Sequence, residues 1–164
     1  RPWDNIKEHD EALMDNWNSV VKPEDKVYHL GDIGITNSTH LLRIMDALNG
    51  TKILIKGNHD QLKMSAYAQV FKDVRAYHSL NGILLAHIPI HPNSMAKWKG
   101  QIHGHLHADR VALHSTNAGI DVIDPRYYNV SCEQINYTPI DFDVVNEYFK
   151  QFKDIAKDEY EAAL

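Results

Sequence analysis

The chain has 164 residues, 43% hydrophobic and 24% charged, which is enough for one domain with a buried core and too few for two. Its formal net charge of −5 argues against stable nucleic-acid binding, which ordinarily needs a basic face, but is compatible with an anionic substrate if bound cations supply the positive field. The single cysteine, Cys132, excludes an internal disulfide and a cysteine zinc site and fits a reducing, cytoplasmic setting; no apolar run approaches the roughly 18 residues of a membrane span.

In chain order, residues 3–21 read as an amphipathic helix with Ile6, Leu13, Trp17 and Val20 near one face and Asp4 as its N-cap. Lys26-Val27-Tyr28-His29-Leu30 is a strand ending in Gly31-Asp32. A second helix is expected over 38–48, burying Leu41, Leu42, Met45 and Leu48, and Asn49-Gly50 then turns the chain into a strand at 51–56. Strand, helix and strand in this order imply parallel pairing. A glycine breaks the second strand, and Gly57-Asn58-His59-Asp60 follows: an amide oxygen, an imidazole and a carboxylate able to hold a metal or move a proton.

A third helix is expected over 62–70 and a strand over 74–77, followed by a hairpin through Asn81-Gly82 into Ile83-Leu84-Leu85-Ala86. His87 stands at the end of that strand, with His91 close by as the competing ligand candidate. After a segment containing Pro89 and Pro92, in which Trp98, Lys97 and Lys99 could wall a pocket, Gln101-Ile102 delivers His103-Gly104-His105-Leu106-His107. A loop-rich stretch, strands at 127–131 and near 135–137, a closing helix from about Asp141 and a mobile tail at 154–164 complete a single domain spanning 1–164.

Four strand-like runs thus end in Asp32, Asn58-His59, His87 and His105/His107. In open α/β sheets the ligand crevice lies outside the carboxyl ends of the strands, so one carboxylate, one amide and several imidazoles come to one edge. Oxygen and nitrogen ligands without a thiolate suit Mn, Fe, Zn or Ni better than Ca or Mg. His105 and His107, two apart, share a face of an extended segment, and a carboxylate at Asp32 has two oxygens to share between two metals. His103 is taken as structural.

Gly31-Asp32, Gly57-Asn58-His59-Asp60, His87 and Gly104-His105-Leu106-His107 occur in the order and approximate spacing of the calcineurin-like metallophosphoesterases, which the chain resembles from its first helix to Tyr137. The phrases Val27-Tyr28-His29-Leu30-Gly31-Asp32 and Tyr137-Thr138-Pro139-Ile140 resemble a small branch of predicted phosphoesterases from bacteria and phages. The resemblance implies a compact α/β fold, a β-sandwich flanked by helices without a large cap domain. It implies two divalent metal ions, Mn foremost, with Asp32 bridging them. Asn58, His87 and His105 would complete one site and His107 would belong to the other. His59 would face the phosphate and protonate the leaving oxygen, with Asp60 orienting its imidazole. The implied reaction is in-line attack of a metal-bound hydroxide on a small phosphorylated, nucleotide-like substrate, either a diester or a monoester.

The family's first motif, Asp-x-His on a strand before the first helix, is not in this sequence. One metal site then has four ligands and the other only Asp32 and His107. The chain begins Arg1-Pro2-Trp3 without methionine, and the missing strand is expected upstream. The alternative is a ligand-depleted phosphoesterase fold serving as a binding or scaffold module. A metallo-β-lactamase-like reading of His105-Leu106-His107-Ala108-Asp109 fails, because Arg110 stands where that family's next histidine belongs.

Overall fold

The computed structural model describes residues 3, 5–34, 37–115 and 121–151. It is a mixed α/β structure, and no helix among these residues is long and apolar enough to cross a membrane. Asp4 and the 154–164 tail lie outside the described residues.

Helix α1 (Ile6–Val20) starts at Asn5, whose side chain accepts from the Glu8 backbone N–H at 3.0 Å and donates to the Glu8 carboxylate at 2.6 Å. Its buried stripe is narrower than periodicity alone predicts. Met14 and Trp17 pack on the core, whereas Ile6 is 79% exposed and Val20 48% exposed. Both lie near the helix ends, where the face continues but the layer beneath it does not.

Strand β1 (Lys26–His29) pairs in parallel with β2 (Thr51–Ile55), and between them runs α2 (Ser38–Ala47), capped by Asn37. Helix α2 buries Leu41, Ile44 and Met45, with Leu48 just beyond its end; Leu42 is only half-buried, so Ile44 takes the place expected for it. The expected third helix shrinks to one turn, α3 (Met64–Tyr67). Beyond Tyr67 the hydrogen bonds tighten, with Gln69 bonding back to Ala66 and Val70 to Tyr67, as Tyr67 and Phe71 drop into the core.

The run expected as one strand at 74–77 is divided between two sheets. Strand β3 (Asp73–Arg75) joins β2 in parallel and closes a three-stranded sheet, order β1-β2-β3. One residue later, β4 (Tyr77–Leu80) opens the second sheet, turns through Asn81-Gly82 at φ 50° and 79°, and pairs antiparallel with β5 (Ile83–Ala86). Strands β6 (Gly100–His103) and β9 (Tyr127–Asn129) extend this sheet in parallel, giving the order β4-β5-β6-β9. The stretch expected to be loop holds an antiparallel pair, β7 (Ala112–Ser115) with β8 (Asp121–Ile123). The expected strand at 135–137 is a turn: Asn136 and Tyr137 both have left-handed φ, 51° and 56°, which no strand accommodates. Helix α4 (Phe142–Gln151) closes the described chain.

Strand β2 carries core on both faces. Leu54 joins the helix-side cluster of Leu41, Met45, Tyr67 and Phe71, while Ile55 joins Leu30, Ile83, Leu85, Ile102 and the α4 residues Val145 and Phe149. The second cluster draws on both larger sheets, so burying Ile55 there, worth about 2–3 kcal/mol, also ties one sheet to the other. Gly100 is glycine because a Cβ there would strike the Phe149 ring.

Candidate metal centre

The site is built where strands end. β1 and β2 run parallel in one sheet, β5 and β6 parallel in the other. The residues that follow each of these four strands meet at one place. The Gly31 and Gly57 turns approach so closely that a Cβ on Gly31 would overlap the Gly57 backbone, and one on Gly57 would overlap Asp32. Gly31 takes φ 84°, which only glycine adopts without cost.

Asp60 locks this crossing. It is 2% exposed, and its Oδ2 accepts from the backbone N–H of Asp32 at 3.0 Å and of Gly57 at 2.8 Å, while Oδ1 accepts from Ile33 at 2.9 Å. Its oxygens are thus committed to the backbone of two loops, and among the described residues none bonds the His59 ring. The expected role of Asp60, orienting that imidazole, gives way to a structural one. His59 itself is exposed; its backbone N–H donates to Asp32 Oδ1 at 2.8 Å, and its ring has no hydrogen-bond partner among the described residues.

Around the other Asp32 oxygen the ligand atoms gather. His87 Nε2 is 3.1 Å from Asp32 Oδ2 and 2.9 Å from Asn58 Oδ1. His105 Nδ1 is 3.0 Å from Asn58 Oδ1 and 3.3 Å from His87 Nε2. Asp32, His87 and His105 form the group of metal-ligating type found among the described residues, and Asn58 supplies a fourth atom. On its far side, His87 Nδ1–H donates to the Leu30 carbonyl at 2.6 Å, which in a neutral ring leaves Nε2 as a bare lone pair. That lone pair faces an amide oxygen, a carboxylate oxygen and another imidazole nitrogen. Such a convergence of acceptors is satisfied by an added proton or by a cation, and its oxygen and nitrogen donors suit a transition-metal ion.

The backbone here is strained. Of the six described non-glycine residues with positive φ, two belong to this cluster, Asp32 at 55° and His105 at 67°, and a third, His107 at 52°, lies two residues beyond His105. Each costs roughly 1–2 kcal/mol, and strain of this kind concentrates at functional sites. Behind the cluster, His29 has a buried Nδ1 without a hydrogen-bond partner, and burial pushes its pKa down against the pull of Asp60 and Asp32. Burial also lowers His103, whose Nδ1–H donates to the Gly104 carbonyl at 2.8 Å.

The structure therefore brings together Asp32, Asn58, His87 and His105, with His59 exposed beside them. His107 lies outside the group; its Nδ1 is 3.3 Å from Glu133 Oε1. His91 is exposed and accepts from the Asn93 backbone N–H at 3.2 Å, so of the two competing histidines it is His87 that enters the cluster. Trp98 packs against Tyr77 and donates to Ser79 Oγ at 3.2 Å, both on β4, with Lys97 over its ring. The residues that sequence patterning missed are those holding the loops. Gln101, fully buried, clamps the Ile88 carbonyl and the Ile90 N–H at 2.8 and 2.9 Å, and Tyr127 donates to the Ile90 carbonyl at 2.6 Å. Gln101 stands out in sequence only as a polar residue beside Ile102 in the short strand that delivers His103.

Uncharacterized protein MJ1445 of Methanocaldococcus jannaschii is 31% identical to the chain over 159 residues, which cover 93% of this chain and 82% of that protein. The chain belongs to the MJ1445 family. Gene 66 protein of Mycobacterium phage L5 is also 31% identical, over 142 residues, covering 66% of this chain and 69% of that protein. Among solved structures, the protein of unknown function AQ665 from Aquifex aeolicus matches with a TM-score of 0.64 at 28% identity, over 89% of this chain and 88% of that one. No family model matches the chain. The names of these three proteins state no activity, so the functional reading rests on the chemistry of the site.

Proposed function

We propose that the chain is a metal-dependent phosphoester hydrolase of the calcineurin-like metallophosphoesterase type, with two sheets packed as a sandwich between helices. The observation that carries this reading is the convergence of Asp32 Oδ2, Asn58 Oδ1, His87 Nε2 and His105 Nδ1 at separations of 2.9–3.3 Å, delivered by four strand ends from two sheets. Support for the sandwich comes from the cluster in which Leu30 and Ile55 of one sheet meet Ile83, Leu85 and Ile102 of the other.

These four residues would hold one divalent cation, Mn foremost, and Asp32 with His107 would contribute to a second. Such ions supply an acidified water nucleophile and neutralise charge developing on a phosphate. The chain's own residues do the rest. The Asp60 carboxylate fixes the Asp32 and Gly57 loops, so the Asp32 and Asn58 oxygens are aimed before any ligand arrives. The backbone of His59 is pinned to Asp32 while its ring stays exposed, and in this reading that imidazole would donate a proton to the leaving oxygen. The substrate class is a small phosphodiester or phosphomonoester, nucleotide-like in the first instance.

Hydrolysis of bis-p-nitrophenyl phosphate by the purified chain, with and without Mn²⁺ and beside Asp32→Ala, tests the proposal. Turnover that requires Mn²⁺ and vanishes in the variant is expected. Equal background rates for both proteins at every Mn²⁺ concentration would refute the hydrolase reading and favour the scaffold alternative.

A further inference from the structure

Strand β9 runs parallel to β6, so the residues after Asn129 emerge at the same edge as those after His103. Two side chains, Asn129 at the end of β9 and Gln134 beyond it, hold the loop that carries His107. Asn129 Nδ2 donates to the carbonyls of His107 and Asp109 at 3.1 and 2.8 Å. Gln134 Nε2 donates to the carbonyls of His107 and Ala108 at 3.2 and 2.8 Å, and its own Oε1 is fixed by Arg110 at 3.0–3.2 Å. These contacts hold the backbone of His107 in its left-handed conformation, φ 52°. They leave the ring to be oriented by something else, because the His107 side chain is 69% exposed and little packing restrains it.

Glu133 is placed to do that. Its Oε1 lies 3.3 Å from His107 Nδ1. An ionised carboxylate only accepts, so this contact keeps the ring proton on Nδ1 and leaves the lone pair on Nε2. The Leu30 carbonyl fixes His87 in the same way.

We propose that Glu133 is a positioning residue for His107, holding the imidazole as the Nδ1–H tautomer and presenting Nε2 to a divalent cation. The proposal rests on the metal-dependent reading above. Partners of this kind behind a ligating histidine change metal affinity by about 10–100-fold.

The test uses the full chain with two readouts. Imidazole ¹⁵N shifts of the metal-free protein report the His107 tautomer, and calorimetric titration with Mn²⁺ alone reports affinity. Wild type is expected to show the Nδ1–H form. Glu133→Ala and Glu133→Ser are expected to mix the tautomers and weaken one class of Mn²⁺ binding by about 10–100-fold. Glu133→Gln, which retains an acceptor oxygen, is expected to restore most of both; thermal melting confirms that each variant is folded. Unchanged tautomer and affinity in the Ala and Ser variants would overturn the proposal. So would a loss in Glu133→Gln as large as in Glu133→Ala, which would make the carboxylate charge itself the holder of the ion. Failure of wild type to bind Mn²⁺ is a distinct result, and it overturns the metal-dependent reading together with what rests on it.

Discussion

His87 Nε2 and Asp32 Oδ2 stand 3.1 Å apart although one follows β5 of the second sheet and the other β1 of the first. The contact is held from behind by the bond from His87 Nδ1–H to the Leu30 carbonyl, two residues before Asp32. One imidazole therefore touches both the strand end and the carboxylate that the strand end delivers, and the two sheets are registered to each other at the site.

Under the proposed metal-dependent reading, removing either partner weakens the hold on a cation. Asp32→Ala and His87→Ala are each expected to weaken Mn²⁺ binding more than about 100-fold, because even residues behind a ligand are worth 10–100-fold. Isothermal titration of metal-free protein measures this directly.

Asp60 and His59 are neighbours with opposite expected behaviour. Asp60→Ala strands three backbone donors in a buried loop crossing and is expected to cost about 3 kcal/mol or more. His59→Ala removes an exposed ring and is expected to change stability by less than about 0.5 kcal/mol while abolishing most turnover. Urea unfolding of the two variants separates the roles. Comparable losses of stability would contradict them.

That pair also shows what the sequence made legible. Strand ends could be read from short apolar runs, and with them the meeting of Asp32, Asn58, His87 and His105 at one place, because a side chain delivered by its own strand is a local feature. The duty of Asp60 was not legible, since the groups that donate to it are the backbone N–H groups of Asp32 and Ile33, on a turn distant in the chain. Glu133 was hidden for the same reason: its partner His107 follows a different strand. The division of the strand expected at 74–77 between β3 and β4 escaped periodicity because either sheet satisfies the same alternation. Exposed Ile6 shows the converse, a periodic face that outruns the layer beneath it.

High pH probes the clamp on the segment after His87. Burial, reinforced by Asp124, pushes the Tyr127 phenol up to about 12. A phenol whose folded value lies above its unfolded one, about 10, holds its proton more tightly in the folded chain; its contribution is intact below about pH 10 and is lost as pH rises through about 12. Melting temperature is therefore expected to fall over that window, and less steeply in Tyr127→Phe. Parallel curves for the two proteins would show that Tyr127 is not the group responsible.

The most direct measurement is anomalous diffraction at the manganese edge from a crystal soaked in Mn²⁺. The expected result is a peak coordinated by Asp32, Asn58, His87 and His105 at about 2.0–2.3 Å from each ligand atom. A soaked crystal with no peak among these four residues, or with manganese bound only elsewhere, would contradict the assignment of this site as a metal centre.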